Sequence, residues 1–271
     1  MNDASKLVYL AVICFSFSAC RLFNNVSDLD EISDQKNEFV YVEDGVFKLK
    51  GEEFSFFGSN FYRLALGDAF QSNVIKEYRD GKPFFPQIDK VMENYATEGV
   101  KVVRMWGFSC EGSMPLGKPP LLKNDFTLDH TAWEQLDFVI DSAGRHGLRI
   151  ILPLVNFEHE YCGMQWWVDN TAKNIGNPSS QGFTKSCYDK GSHRLTKVVW
   201  NDSDCGPNSE AKFSKEQFYT NNAVWEKYST YLTTILNREN PYNGLPLKDN
   251  PTILAIEVAN EPHTSDSMNA S

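Results

Sequence analysis

Four places in this sequence put planar, polar side chains directly after an apolar run: Asn60 with Tyr62 and Arg63, Arg104 with Trp106, Asn156, and Asn260 with Glu261. In parallel α/β architectures ligands bind beyond the carboxyl ends of the strands, so these are the positions where chemistry belongs. The set has a single acid at its most apolar run end, Glu261, which follows Ile253-Leu254-Ala255-Ile256-Glu257-Val258-Ala259 and Asn260. A carboxyl group placed there is expected to be partly desolvated, which suits a general acid. Cleavage of a glycosidic bond needs such an acid, because the departing sugar oxygen leaves poorly until it is protonated. The amide of Asn260 can hold a sugar hydroxyl, and that contact strengthens as positive charge develops at the anomeric carbon. Taken singly, each residue has a plainer reading. Asn260-Glu261-Pro262 is an ordinary strand-to-loop turn, Arg104 a structural ion pair, Trp106, Trp166 and Trp167 packing, and His263 an exposed loop histidine. Their joint placement at successive run ends carries the functional reading.

The elements that must position these residues follow from periodicity. Glu38 to Phe56 alternates apolar and polar residues around Asp44-Gly45, a hairpin signal. Phe54 to Asn60 reads as a strand, then Ile88, Val91, Met92 and Tyr95 fall at helical spacing, closed by Gly99. Val100 to Trp106 is the next strand. Thr131 with Glu134 predicts a capping box for a helix carrying Trp133, Leu136, Ile140 and Ala143, ended by Gly147. Leu148 to Val155 is a third strand. A connection from Asn156 to about Phe213 has the length of a functional loop. Ser214 with Gln217 predicts the cap of a helix with Trp225, Tyr228, Leu232 and Ile235 on one face, and Thr252 to Ala259 is the fourth strand. Continuous apolar strands alternating with amphipathic helices imply a parallel sheet covered by helices, and doubly wound sheets and barrels both fit. The absence of a G-x-G-x-x-G turn or phosphate loop argues against nucleotide binding.

Composition narrows the class. The 271 residues are 41% hydrophobic and 13% aromatic, enough for a large core, and the formal charge of −10 argues against a nucleic-acid partner. Leu7 to Ala19 is almost wholly apolar or small, follows Lys6, and is too short to span a bilayer. Residues 1–20 therefore read as a signal peptide and 21–37 as a polar linker. Phe17-Ser18-Ala19-Cys20 resembles a bacterial lipoprotein box with Cys20 as the lipidated residue, so free secretion and a lipid anchor at the cell surface or outer membrane both stand. Membrane contact is expected through that anchor alone. Cys110, Cys162, Cys187 and Cys205 form an even set in an exported chain, which suggests disulfides with three connectivities open. They lack paired C-x-x-C spacing, so no metal is expected.

At this point the stretches themselves are diagnostic. Phe57-Gly58-Ser59-Asn60-Phe61-Tyr62, Val102-Val103-Arg104-Met105-Trp106-Gly107-Phe108, Ile150-Ile151-Leu152-Pro153-Leu154-Val155-Asn156, Ile235-Leu236-Asn237-Arg238-Glu239-Asn240 and Ala259-Asn260-Glu261-Pro262 occur in that order. Together they resemble glycoside hydrolase family 5, in particular its endo-β-1,4-mannanase branch. The resemblance implies a TIM (β/α)8 barrel, of which residues 38–271 supply the N-terminal half, about four βα units with a preceding hairpin. It implies retaining hydrolysis of β-1,4-mannan or a related polysaccharide, with no cofactor. Glu261 would be the acid/base and Asn260 would bind the 2-hydroxyl of the sugar at the cleavage point. Arg104 would orient the nucleophilic carboxylate, and Trp106 and Asn156 would line the sugar site. His263 stands where the branch often has an arginine facing the leaving-group sugars. Phe157 and Glu158 replace the residues that continue as Asn and Trp in mannanases, so Trp166 or Trp167 would have to supply the sugar-stacking platform.

The family places its nucleophilic glutamate on a seventh strand, whereas this sequence stops after its fourth. A retaining enzyme needs two carboxyl groups about 5–5.5 Å apart. Glu257, four residues before Glu261, lies roughly 13 Å away at ~3.3 Å per residue and does not serve. The chain on its own is therefore expected to be inactive, with unpaired edge strands that favour self-association. A cellulase-like β-1,4-glucan hydrolase and a noncatalytic polysaccharide-binding surface protein are the alternatives.

Overall fold

The computed structural model describes residues 38–66, 85–113, 119–158, 160–191, 195–199 and 205–262. The expected signal peptide, linker and Cys20, and likewise His263, lie outside the described residues. The chain divides into two compact units, ending and beginning at Glu53 and Phe54.

The first unit is a meander of β1 (Tyr41–Glu43), β2 (Val46–Leu49) and β3 (Glu52–Glu53), antiparallel in that order. Glu43 pairs with Val46 and Leu49 with Glu52, so each connection has only two residues. Both connections, Asp44-Gly45 and Lys50-Gly51, have positive φ at both positions (52° and 78°, 54° and 84°). That is the turn geometry whose twist matches the flanking strands, and Asp-Gly is its strongest sequence signal. The expected hairpin is there, and Lys50-Gly51 adds a second.

The second unit is built on β4 (Phe57–Asn60), β5 (Val100–Arg104), β6 (Arg149–Pro153) and a later strand, β10 (Ile253–Glu257). All pairings are parallel and the order is β10-β6-β5-β4. A doubly wound sheet reverses direction at its switch point. This order runs monotonically with the sequence, as in a barrel wall, and right-handed crossovers then put every connecting helix on one side. The connections hold α1 (Phe85–Thr97), α2 (His130–Arg145), α3 (Met164–Asn174), α4 (Gln217–Thr220) and α5 (Asn222–Leu236).

Between helices and strands lies one core. Ile88 and Met92 of α1, Trp133, Leu136, Val139, Ile140 and Ala143 of α2, and Trp167 and Val168 of α3 are buried with Val103, Ile150 and Leu152 of the sheet. Gly99 (φ 81°) and Gly147 (φ 75°) take the left-handed conformation that ends α1 and α2, as the sequence predicts. The central strands β5 and β6 are mostly buried. The outer strands β4 and β10 have no strand on their far side among the described residues; β10 is half-buried throughout, and β4 is mostly exposed, with Phe57 71% accessible.

Several expectations are corrected. The N-cap of α2 is Asp129, whose Oδ1 accepts the N–H groups of Thr131 and Ala132 at 3.0 and 3.2 Å, not Thr131 with Glu134. Asn221 caps α5 in the same way, through Ala223 and Val224. The Ser214–Gln217 pair instead starts the short α4, and the Gln217 amide closes on both main-chain groups of Thr184. Trp225 is 49% exposed, and the buried face of α5 is Val224, Tyr228, Tyr231 and Ile235. The stretch from 156 to 213 is no loop. It holds α3 and an antiparallel sheet of β7 (Lys185–Asp189), β8 (Leu195–Val199) and β9 (Ser209–Phe213), ordered β8-β7-β9. The four cysteines pair as Cys110–Cys162 and Cys187–Cys205, with Cα separations of 4.7 and 5.5 Å, inside the range a disulfide spans.

Candidate active site at the strand ends

Arg104 closes β5, Asn156 lies three residues beyond β6, and Asn260 three residues beyond β10. Backbone bonds bring the last two together. Asn260 N–H donates to Val155 O at 2.7 Å and Phe157 N–H to Asn260 O at 3.0 Å, which extends the parallel ladder past the ends of the strands. Arg104 comes from the next strand but one. Side chains of alternate barrel strands share an interior layer, so its guanidinium crosses above β6 to reach β10.

There it makes a two-armed pair with Glu257, Nε donating to Oε1 at 3.0 Å and Nη2 to Oε2 at 2.6 Å. Nη2 also donates to Asn260 Oδ1 at 2.7 Å, Asn260 Nδ2 donates to Asn156 Oδ1 at 2.9 Å, and Asn156 Nδ2 to Glu160 O at 3.2 Å. Arg104, Asn156 and Asn260, named independently from the sequence, are therefore one connected network. Glu257 is the member that sequence reasoning set aside. Its signal was available: a lone carboxylate inside the apolar run Ile253 to Ala259 is not expected there unless it is paired.

An aromatic wall stands beside the network. Trp106 donates its main-chain N–H to Tyr62 O at 2.9 Å and stacks near Tyr62, Phe108 and Tyr161 at ring separations of 4.4, 5.0 and 5.1 Å. Its indole Nε1 is buried with no hydrogen-bond partner among the described residues. Gly107, next along, donates to Pro153 O, and a Cβ there would lie 2.7 Å from Leu152 Cγ, so only glycine lets the chain pass this close to β6. The Cys110–Cys162 bridge ties the segment after β5 to the one after β6, and Cys162 O accepts the Asn156 N–H at 3.4 Å. Tyr62, in the same wall, carries the Arg63 guanidinium over its ring at 5.3 Å.

Glu261 follows Asn260 with φ 51°, a left-handed conformation that costs a non-glycine residue roughly 1–2 kcal/mol. Phe126, Tyr161 and Cys162 also have positive φ, so the conformation alone assigns no role. Glu261 is exposed, so the desolvation expected from its apolar strand is not supplied by the described residues. The reason is geometric: a strand shields a following side chain only where a wall faces it.

The two tryptophans separate. Trp167 is wholly buried against Tyr228, Tyr231 and Phe126, which corrects its expected role as a sugar platform: a ring with no free face cannot stack on a sugar. Trp166 is half-buried and its Nε1 donates to Glu111 O at 3.0 Å; its ring contacts are Phe126 and Trp167. A polar cleft of about 340 Å³ at the start of α5 includes Gln181, Gln217 and Asn221. The amides of Gln217 and Asn221 there are spent on main-chain partners, so the chemistry stays with the strand ends. No group of three or more potential metal ligands occurs among the described residues. None of the described helices is long and apolar enough to cross a membrane.

A parallel β/α wall whose strand order follows the sequence, with polar side chains gathered at its carboxyl ends, is part of a TIM barrel. The model of the glycoside hydrolase family 5 β-mannosidase-like proteins matches residues 37–271, and the chain belongs to that family. It is 29% identical over 251 residues to mannan endo-1,4-beta-mannosidase 3 of Arabidopsis thaliana, covering 92% of this chain and 49% of that protein. Mannan endo-1,4-beta-mannosidase 5 of Solanum lycopersicum is 28% identical over 234 residues, 86% of this chain and 44% of its own length. The chain thus spans about half the length of the curated relatives it matches. Among solved structures, the endo-1,4-beta-mannanase of Rhizomucor miehei superposes with a TM-score of 0.56 at 24% identity, over 83% of this chain and 48% of that one.

Proposed function

We propose that this chain is the N-terminal part of an exported retaining endo-β-1,4-mannanase in which Glu261 is the general acid/base. The observation that carries the reading is the Arg104–Asn260–Asn156 network, which holds the residue preceding Glu261 across three strand ends. In the first step Glu261 donates its proton to the glycosidic oxygen while a carboxylate nucleophile forms a glycosyl ester. In the second, the same group, now ionised, takes a proton from the water that cleaves that ester, so the anomeric configuration is retained. Asn260 holds the 2-hydroxyl of the sugar under attack. The nucleophile comes from a part of the protein beyond these four strands. Glu257 is unsuited to it, because it precedes Glu261 by four residues of the same strand run, roughly 13 Å at ~3.3 Å per residue, whereas retention needs carboxyl groups about 5–5.5 Å apart. The apolar segment Leu7 to Ala19 supports export, by free secretion or through a lipid on Cys20. The curated relatives named as mannosidases support mannan over other β-glycans.

Glu261→Ala in the full-length polypeptide tests the assignment. Hydrolysis of mannan should fall by about 10²–10⁴-fold. An aryl β-mannoside with a good leaving group should still form the ester, and added azide should restore turnover and yield the β-mannosyl azide. Mannan hydrolysis within a few-fold of the parent, or no azide product, would refute the role.

A further inference from the structure

Glu257 sits on the interior-facing strand end, and the mechanism above gives it no step. Its surroundings do. A guanidinium carries donors and no acceptor, so the contact from Arg104 Nη2 requires the oxygen of the Asn260 amide at that position. This turns Asn260 Nδ2 toward Asn156 Oδ1, and Asn156 Nδ2 toward the main-chain carbonyl of Glu160, which only accepts. Amide orientation is ordinarily ambiguous, but here both ends of the relay fix its direction. The fixed end rests on Glu257, which grips Arg104 with both oxygens. A guanidinium in an ion pair has donors to spare for a third partner. In this one the same Nη2 serves the carboxylate and the Asn260 amide, directly before Glu261.

We infer that Glu257 is a positioning residue: by clamping Arg104 it holds the Asn260 amide with its oxygen toward the guanidinium, leaves the second N–H of Nδ2, beyond the one given to Asn156, as a donor, and thereby sets the preference for a sugar bearing an acceptor at carbon 2. The inference rests on the proposed glycoside cleavage and extends the same site.

Glu257→Gln is the informative change, because the new amide meets the all-donor fork of Arg104 with an N–H on one arm. In the full-length protein, kcat/KM is measured on an activated aryl β-mannobioside and on its analogue lacking the 2-hydroxyl at the cleavage point. The parent should favour the hydroxylated substrate, and in Glu257→Gln that ratio should collapse by about tenfold or more, as expected for a misplaced contact. Glu257→Asp, which keeps the charge on a shorter stem, should recover part of it. Independently of any substrate, the ¹H–¹⁵N side-chain amide signals of Asn156 and Asn260 should both move in Glu257→Gln. Unmoved amide signals, or a loss shared equally by both substrates, would overturn the inference. A parent protein inactive on every β-mannoside would instead refute the proposed function, and the amide signals would still decide this one.

Discussion

Replacing Trp167 by Ala separates packing from recognition at the two adjacent tryptophans. The ring is wholly buried, and meets Phe126, Trp166, Tyr228 and Tyr231 at centroid distances of 5.1 to 5.8 Å. Truncating such a side chain to alanine costs about 3–5 kcal/mol, the sum of lost transfer energy and an unfilled cavity. Four aromatic neighbours make the upper half of that range the expectation, since each favourable ring pair adds about 0.5–1.5 kcal/mol beyond area. Trp167→Phe should cost less, about 1–2 kcal/mol. It keeps one ring in place and removes an indole N–H that has no partner among the described residues, and an unmet buried donor costs about 1–3 kcal/mol. Urea unfolding of the parent and both variants, followed by tryptophan fluorescence and circular dichroism, gives these differences from the midpoints at constant slope. For a domain of this size the alanine variant should melt about 10 °C or more below the parent. An alanine variant within about 1 kcal/mol of the parent that had lost affinity for mannan would refute the burial argument and return Trp167 to the substrate.

Other outcomes follow from the same structure. Asp129→Ala should lose about 1 kcal/mol of stability through the N-cap of α2, measured by thermal melting, while Thr131→Ala changes little. Opening Cys110–Cys162, which encloses 52 residues, should cost about 4 kcal/mol on the loop-closure model, against about 3 kcal/mol for the 18-residue Cys187–Cys205 loop. Paired Cys→Ser variants compared by denaturation test that order. Asp89 is held below the usual carboxylate range by the Ser142 hydroxyl and then by Arg145 and His146. A lowered folded value means the native state releases this proton more readily, so its stabilisation is present above the unfolded value of 3.8 and fades as the pH falls through the folded one. Asp89→Asn should therefore be less stable than the parent at neutral pH and converge with it in acid, as read from melting temperature against pH.

How far the sequence reached differs from element to element. Strand and helix existence was legible because burial on one face leaves a period that survives without a fold. Ile88, Met92, Trp133, Leu136 and Ile140 are all buried as their spacing predicts. Caps were less legible. Asp129 and Thr131 are both good N-cap residues, and the choice depends on where φ and ψ leave the helix, which the string of letters does not carry. The β7–β9 sheet was missed because its strands pair antiparallel with each other and show no clean alternation; the buried residues of β7 are Ser186, Cys187 and Tyr188, in succession.

At the site itself, residue types at run ends named Arg104, Asn156 and Asn260, which hydrogen bonds then join, because a parallel sheet gathers whatever follows its strands at one edge. The sequence by itself also determined the alternation of strands and helices, the even set of cysteines and the family resemblance. Only the tertiary structure decided that the strands run in monotonic order, that Cys110 meets Cys162, and that Trp167 faces the core. It alone placed Glu257 against Arg104, residues 153 positions apart. Periodicity is a property of neighbours along the chain, whereas partner choice, amide direction and burial of one of two adjacent rings are set by segments far apart in sequence that meet only when the sheet closes its pairs.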